Sequence, residues 1–165
     1  MQLFLVRHAH AVPAEENPAR PLSGRGRDDA RRVAAFFRGT PQFRPAQYWH
    51  SPLLRAAQTA QAFVETIDPE AMLVETDDLL PDDNPEAMAK RLARYPVDHA
   101  LALVGHDPHL TALGSLLVTG RAFPERFVLR KGAVLALERT QRLHKKTGLP
   151  RWRVCWHLSP ELLQT

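Results

Sequence analysis

The stretch His99-Ala100-Leu101-Ala102-Leu103-Val104-Gly105-His106-Asp107-Pro108 decides the fold. Its apolar run reads as a strand buried on both faces, and Gly105 to Pro108 turn that strand into a helix ending near Thr119-Gly120. A strand without polar alternation belongs in a sheet whose two faces are both covered by helices, which is the habit of parallel sheets.

The same pattern extends in both directions. Gln2 to Val6 is a short apolar run closed by Arg7, a second buried strand, and Pro13, Pro18 and Pro21 keep the next stretch in a loop. Ser23 is placed to cap a helix running to Arg38, with Val33, Ala34, Phe36 and Phe37 on its apolar face and Gly39 as its stop. Tyr48 to His50 makes a short strand ending in Ser51-Pro52, and Leu53 to about Thr66 a second helix. A strand at Met72 to Glu75 follows, and Asn84-Pro85 opens a third helix, which Pro96 stops after Tyr95. Toward the C-terminus Ala133 to Glu138 and Trp152 to His157 alternate as two strands, joined by a basic loop from Arg139 to Arg151. Strands alternating with helices predict an α/β three-layer sandwich with a mostly parallel central sheet and an antiparallel edge, built by residues 1–165 as a single domain.

Composition bounds the function. With 165 residues, 44% apolar and 24% charged, the chain can bury an adequate core without staples. Its one cysteine, Cys155, has no partner in the chain, so an intramolecular disulfide is excluded and a reducing compartment suits it. The apolar stretch near the start, Leu3 to Val6 closed by Arg7, is too short for a signal peptide's core, and no run approaches membrane-spanning length. A cytoplasmic protein is expected, without a membrane partner. The formal charge of +4 comes mainly from arginine, the better fork for phosphate or carboxylate, so an anionic partner is expected. The cations are dispersed and not interleaved with aromatics, which argues against nucleic acid.

In such sheets ligands sit at the carboxyl ends of strands. That rule selects Arg7-His8, the segment from His50 to Arg55, and Gly105 to His109. Together they hold two arginines and several histidines, the set needed to bind a tetrahedral dianion and attack it. Arginine forks neutralise phosphoryl oxygens, and a neutral imidazole nitrogen can attack phosphorus in line to give a phosphohistidine. No cofactor and no metal is needed for that chemistry.

Leu5-Val6-Arg7-His8-Ala9 resembles the Arg-His-Gly motif of the histidine phosphatase superfamily, the phosphoglycerate mutase-like fold, with Ala9 standing where the family has glycine. Ser51-Pro52-Leu53-Leu54-Arg55-Ala56-Ala57-Gln58-Thr59 resembles its second motif, and Val104-Gly105-His106 its third. Met1-Gln2-Leu3-Phe4, Arg20-Pro21-Leu22-Ser23 and the ending Trp156 to Pro160 are similar to the bacterial SixA group of phosphohistidine phosphatases. The resemblance implies His8 as nucleophile, Arg7 and Arg55 as phosphoryl ligands, and His106 as the group holding an oxygen in the transition state. It makes Arg20 a further phosphate contact; Ser23 is a further candidate substrate ligand, and Lys131, in Arg130-Lys131-Gly132 just before the first strand of the terminal pair, is either a second anion contact or part of a solvated strand start. It implies a ping-pong hydrolysis in which the partner is a phosphorylated protein, such as a histidine-phosphotransfer domain, or a small phosphorylated substrate.

The family's glutamate proton donor has no clean match; Asp78, Asp82 and Asp83 lie in the right region and are the candidates. An imidazole leaving group needs a donor less than an alkoxide does, which favours phosphohistidine over sugar phosphates. Three other readings are open: a small-molecule phosphomonoesterase or mutase, a phosphate-binding module without turnover, and a metal-dependent hydrolase using His8 and His10 with His106, Asp107 and His109. On the phosphatase reading His10 is expected at the pocket mouth and His109 on a helix surface. His144-Lys145-Lys146 is expected in an exposed hairpin loop.

Overall fold

A computed structural model describes residues 1–163. Strands β1 (Gln2–Arg7), β2 (Gln47–His50), β3 (Met72–Glu75), β4 (Leu101–Gly105), β5 (Val134–Leu143) and β6 (Pro150–Leu158) form one sheet in the order β3-β2-β4-β1-β5-β6. The first four run parallel, β4 beside β1 with Leu5 opposite Leu103, while β5 and β6 are antiparallel. The predicted mostly parallel sheet with an antiparallel edge is therefore the observed one.

The alternation of side chains along a strand divides the core in two. Leu3, Leu5, Leu101 and Leu103 point to one face and pack with α3 (Pro85–Ala93) and α4 (His109–Thr119). Phe4, Val6, Ala102 and Val104 point to the other and meet α1 (Gly24–Phe37) and α2 (Leu54–Ile67). Both faces of β1 and β4 are thus covered, which is why neither strand alternates in polarity.

The helix punctuation follows the sequence closely. The Ser23 hydroxyl accepts from the Gly26 amide at 3.1 Å and starts α1, and Gly39 follows its end at φ 79°. Asn84 caps α3 through the Glu86 amide at 2.9 Å, with Pro85 at the first helical position. Gly120, at φ 80°, closes α4 in the left-handed conformation.

Two expectations are corrected. The basic segment 139–151 is mainly strand: β5 runs to Leu143 and β6 starts at Pro150, leaving only His144 to Leu149 as the hairpin loop. Cross-strand pairing extends beyond the alternating residues, from Arg139 opposite Trp152 to Leu143 opposite Pro150. Within that loop His144 is half-buried, and its Nε2 donates to the Leu117 carbonyl at 2.8 Å, so it serves the C-terminal end of α4. The second correction is His109. It is buried, because α4 is enclosed from His109 to Leu117 and its first turn has no solvent face.

Candidate active site

Parallel pairing puts the carboxyl ends of β1, β2 and β4 on one edge of the sheet. His8 follows β1, Ser51 follows β2 and His106 follows β4, each emerging from a buried strand end. The His8 amide donates to the Gly105 carbonyl at 2.9 Å and the Ser51 amide to the Val104 carbonyl at 3.0 Å, which fixes the three loops to one another. The segment Arg130 to Ala133 is strapped across them: the Gly132 amide donates to Arg7 O at 3.0 Å, and Arg7 N donates to Ala133 O at 3.1 Å.

His8 is 6% exposed, and its Nδ1 lies 2.7 Å from the Ala9 carbonyl. A carbonyl only accepts, so Nδ1 carries the proton and Nε2 keeps a free lone pair. Burial, reinforced by Arg55, Arg7 and Lys131, pulls the His8 pKa down to about 4, against the opposing bond to Ala9. The ring is neutral at ordinary pH and so is nucleophilic without a general base. Ala9 itself is unstrained, since Arg20 is the one non-glycine residue with positive φ among the described residues. Its amide donates to Thr59 Oγ at 3.1 Å, and that hydroxyl donates to Arg55 O at 2.7 Å. Thr59 thereby ties the nucleophile's loop to the helix that carries Arg55.

The His106 ring stands with its centroid 4.9 Å from that of His8. Burial first, then His8 and Arg55, lower its pKa to about 3, so it is neutral too. Its Nε2 is 2.9 Å from Ser51 Oγ, an oxygen that already accepts from the Leu53 amide at 3.3 Å. Its Nδ1 is buried without a partner among the described residues, and with the Ser51 hydroxyl donating to Nε2 it carries the proton and is a free donor.

Arg7 is held by two acceptors: its Nη1 donates to Leu129 O at 2.6 Å and pairs with Asp107 at 3.0 Å. Burial raises the Asp107 pKa while Arg7 opposes the shift. Arg7 Nε and Arg55 Nε are buried and, among the described residues, unpartnered. Burial, then Arg20, lowers the Arg55 pKa. Arg20 itself donates from Nε to Val12 O at 3.3 Å. Lys131 faces Arg7, Arg20, Arg25 and Arg55, and burial followed by those four charges lowers its pKa.

The structure therefore brings Arg7, His8, Arg20, Arg55, His106 and Lys131 together. Ser23 is engaged elsewhere, as the α1 cap and at 2.9 Å from His10 Nδ1. The three aspartates are not among the charges acting on His8. Asp78 pairs with Arg91 at 3.3 Å, Asp83 accepts from the Leu80 amide at 2.6 Å, and Asp82 is exposed. Asp78 and Asp83 instead act on His109, whose ring nitrogens are buried without partners among the described residues. Among the described residues no three His, Cys, Asp or Glu side chains converge as metal ligands. His10 lines a cleft that it shares with Arg7. Sequence reasoning missed Asp107, Ser51 and Thr59 as supports, although all three lie inside or next to the motifs.

Burying neutral histidines makes stability depend on acid. In the unfolded chain His8 and His106 titrate at the ordinary value near 6.5, whereas in the fold they titrate at about 4 and about 3. The unfolded state binds more protons between those values, so their stabilisation is complete above pH 6.5 and lost as pH falls. Each site can contribute a slope up to about 1.4 kcal/mol per pH unit. Urea midpoints are expected to fall steadily from pH 7 to pH 5, and less steeply in His106→Gln. A midpoint constant over that window would refute the buried-neutral assignment.

Residues 3–83 match the model of the histidine phosphatase superfamily (branch 1). No curated protein matches the chain in sequence. In structure the chain is similar to the protein histidine phosphatase SixA complexed with tungstate, at TM-score 0.82 and 22% identity over 99% of this chain and 100% of that one. It is similar to a phosphohistidine phosphatase SixA structure from Agrobacterium tumefaciens at TM-score 0.74 and 23% identity, covering 96% and 97%. The alpha-ribazole phosphatase from Shigella flexneri aligns at TM-score 0.72 and 18% identity, covering 93% and 95%. At such identities the likeness establishes the fold. No described helix is long and apolar enough to cross a membrane.

Proposed function

We propose, from the premise that this chain belongs to the histidine phosphatase superfamily, that it hydrolyses phosphohistidine on a protein through a phospho-His8 intermediate. The observation that carries this reading is the tautomer of His8: Nδ1 is spent on the Ala9 carbonyl, so Nε2 presents its lone pair among cations.

Arg7 and Arg55 bind the phosphoryl oxygens. Their Nε donors, and Nδ1 of His106, are buried groups that a phosphoryl group's oxygens would satisfy. His8 Nε2 forms a bond to phosphorus as the bond from phosphorus to the leaving nitrogen breaks. The leaving imidazole takes that electron pair, and, already protonated on its other nitrogen, departs neutral. Positive charge developing on the His8 ring is stabilised by the Ala9 carbonyl dipole at 2.7 Å. Water then attacks phosphorus, the bond to Nε2 breaks, the water proton is released, and orthophosphate leaves with His8 regenerated. Neither step needs a carboxylic acid for the leaving group, which agrees with a site whose charge neighbours at His8 are Arg55, Arg7 and Lys131. Arg20 and Lys131 serve as outer phosphate contacts in this reading. A reducing compartment such as the cytoplasm suits the exposed, unpaired Cys155.

A substrate panel tests the proposal: a phosphohistidine protein, p-nitrophenyl phosphate and an alkyl phosphomonoester, each with and without EDTA. The expected result is the highest kcat/KM on the phosphohistidine protein, EDTA without effect, and an acid-labile, alkali-stable phosphate trapped on His8. A higher kcat/KM on the alkyl ester would overturn the substrate assignment. Loss of activity in EDTA, restored by zinc, would overturn the mechanism.

A further inference from the structure

A cleft of about 250 Å³ opens next to the phosphoryl site, lined by Arg7, His10, Arg25, Arg130 and Lys131 among others. It shares Arg7 with that site, and Lys131 lies on the segment strapped to the backbone of Arg7 and His8. Arg20 and Arg55 are close enough to act on Lys131. Three carboxylates face these six cations: Asp107 on Arg7, Glu161 on Arg130, and Asp29 on Arg25, the last shared with Arg32, which it meets at 3.1 Å. A phosphoryl dianion offsets two of the three charges that remain, so one cation is left without a counter-charge. The outer pairs, Arg25 with Asp29 and Arg130 with Glu161, are long at 3.6 Å each. Both arginines are mostly exposed there, so the pairs are weak and exchangeable. Arg25 also lies in the first turn of α1, where the helix favours negative charge.

We infer that this cleft is a second anion subsite, and that the substrate carries, beyond the phosphoryl group, a further acidic group seated between Arg25, Arg130 and Lys131. The subsite rests on the phosphoryl-site reading above and adds a substrate class to it. The acidic group is either a carboxylate flanking a phosphohistidine or a second phosphate of a small molecule. Both present the same chemistry to the cleft.

Calorimetric binding of propylphosphonate against methylene-, propane-1,3- and pentane-1,5-bisphosphonate tests it without turnover. At least one bisphosphonate is expected to bind the wild type tenfold or more tightly than propylphosphonate. In the double variant R25A/R130A, whose side chains are exposed, that ratio is expected to fall below two while the thermal midpoint holds. Equal affinities in the wild type, or a preference that survives in R25A/R130A, would overturn the subsite. Faster turnover of a phosphohistidine peptide flanked by glutamates than of one flanked by alanines assigns the acidic group to a protein. A preference confined to the bisphosphonates assigns it to a small molecule. Hydrolysis without any preference overturns the subsite alone, and a bisphosphonate preference without hydrolysis of any phosphohistidine overturns the phosphatase reading alone.

Discussion

His8→Asn is expected to abolish turnover, lowering kcat/KM by about 10⁴-fold or more, because the covalent route loses its nucleophile. On the activation scale that is about 5 kcal/mol. The substitution is chosen for what it preserves. An asparagine amide can still donate toward the Ala9 carbonyl, which His8 Nδ1 reaches at 2.7 Å, so the loop's local hydrogen bond is retained. His8 titrates at about 4 and is uncharged at neutral pH, so its removal leaves the pocket's charge intact. Arg7, Arg55 and His106 remain, and orthophosphate is therefore expected to bind His8→Asn within a few-fold of wild type. Rapid-quench assays should show no acid-labile phosphoenzyme in the variant. A residual kcat/KM within tenfold of wild type would exclude His8 as the nucleophile.

Arg7, His8 and His106 were legible because each lies at the carboxyl end of a strand, and strand ends are set by local patterns. The run Leu101 to Val104 and the run Leu3 to Val6 are apolar throughout, which specifies parallel neighbours. Parallel pairing in turn places the residues that follow each strand on one edge of the sheet. Arg55 needed one more step, the register of α2 behind β2, and the run from Ser51 to Thr59 supplied it.

What the sequence did not disclose depends on which distant segments meet. His109 reads as an ordinary first-turn histidine, yet it is buried, with Asp83 and Asp78 of a distant segment close enough to act on its ring. Asp107 looks like part of the turn before α4, yet it reaches Arg7, a residue 100 positions earlier, because β4 lies beside β1. Ser23, legible as the cap of α1, was also a candidate substrate ligand; its hydroxyl accepts from the Gly26 amide and lies 2.9 Å from His10 Nδ1, a contact that no local pattern discloses. The length of the β5–β6 hairpin was hidden because Arg139 to Leu143 lacks apolar alternation. Those residues pair with β6 beyond the end of β1, where no core dictates the pattern.

Gly26→Ala is expected to be the most disruptive single-methyl change in the chain. On helix propensity alone the substitution should stabilise α1 by roughly 1 kcal/mol. The structure opposes this, since a Cβ on Gly26 would lie 1.9 Å from the His10 carbonyl oxygen and 2.8 Å from its carbon. Those are backbone atoms and cannot rotate away. The same carbonyl accepts from the Ser23 amide at 3.0 Å, and Val12 N donates to Pro21 O at 3.0 Å, so the loop and the helix start are mutually fixed. Either α1 or the segment after His8 must move by more than an ångström. Moving α1 opens the core formed with Ala30, Val33, Ala34 and Phe37, whereas moving the loop shifts His10 and the Ala9 carbonyl that sets the His8 tautomer. Overpacking of this kind costs about 1–3 kcal/mol, and more where only backbone can yield. Gly24→Ala is the matched control, because its Cβ would meet nothing within 4 Å. Urea unfolding should show a lowered midpoint for Gly26→Ala and none for Gly24→Ala. The kcat/KM of any Gly26→Ala that still folds should fall by 10²-fold or more, as about 1 Å of misplacement can cost. A Gly26→Ala protein with wild-type stability and activity would mean that α1 does not sit on His10 as described, and the support for His8 would then have to lie in Thr59 and the Gly105 carbonyl.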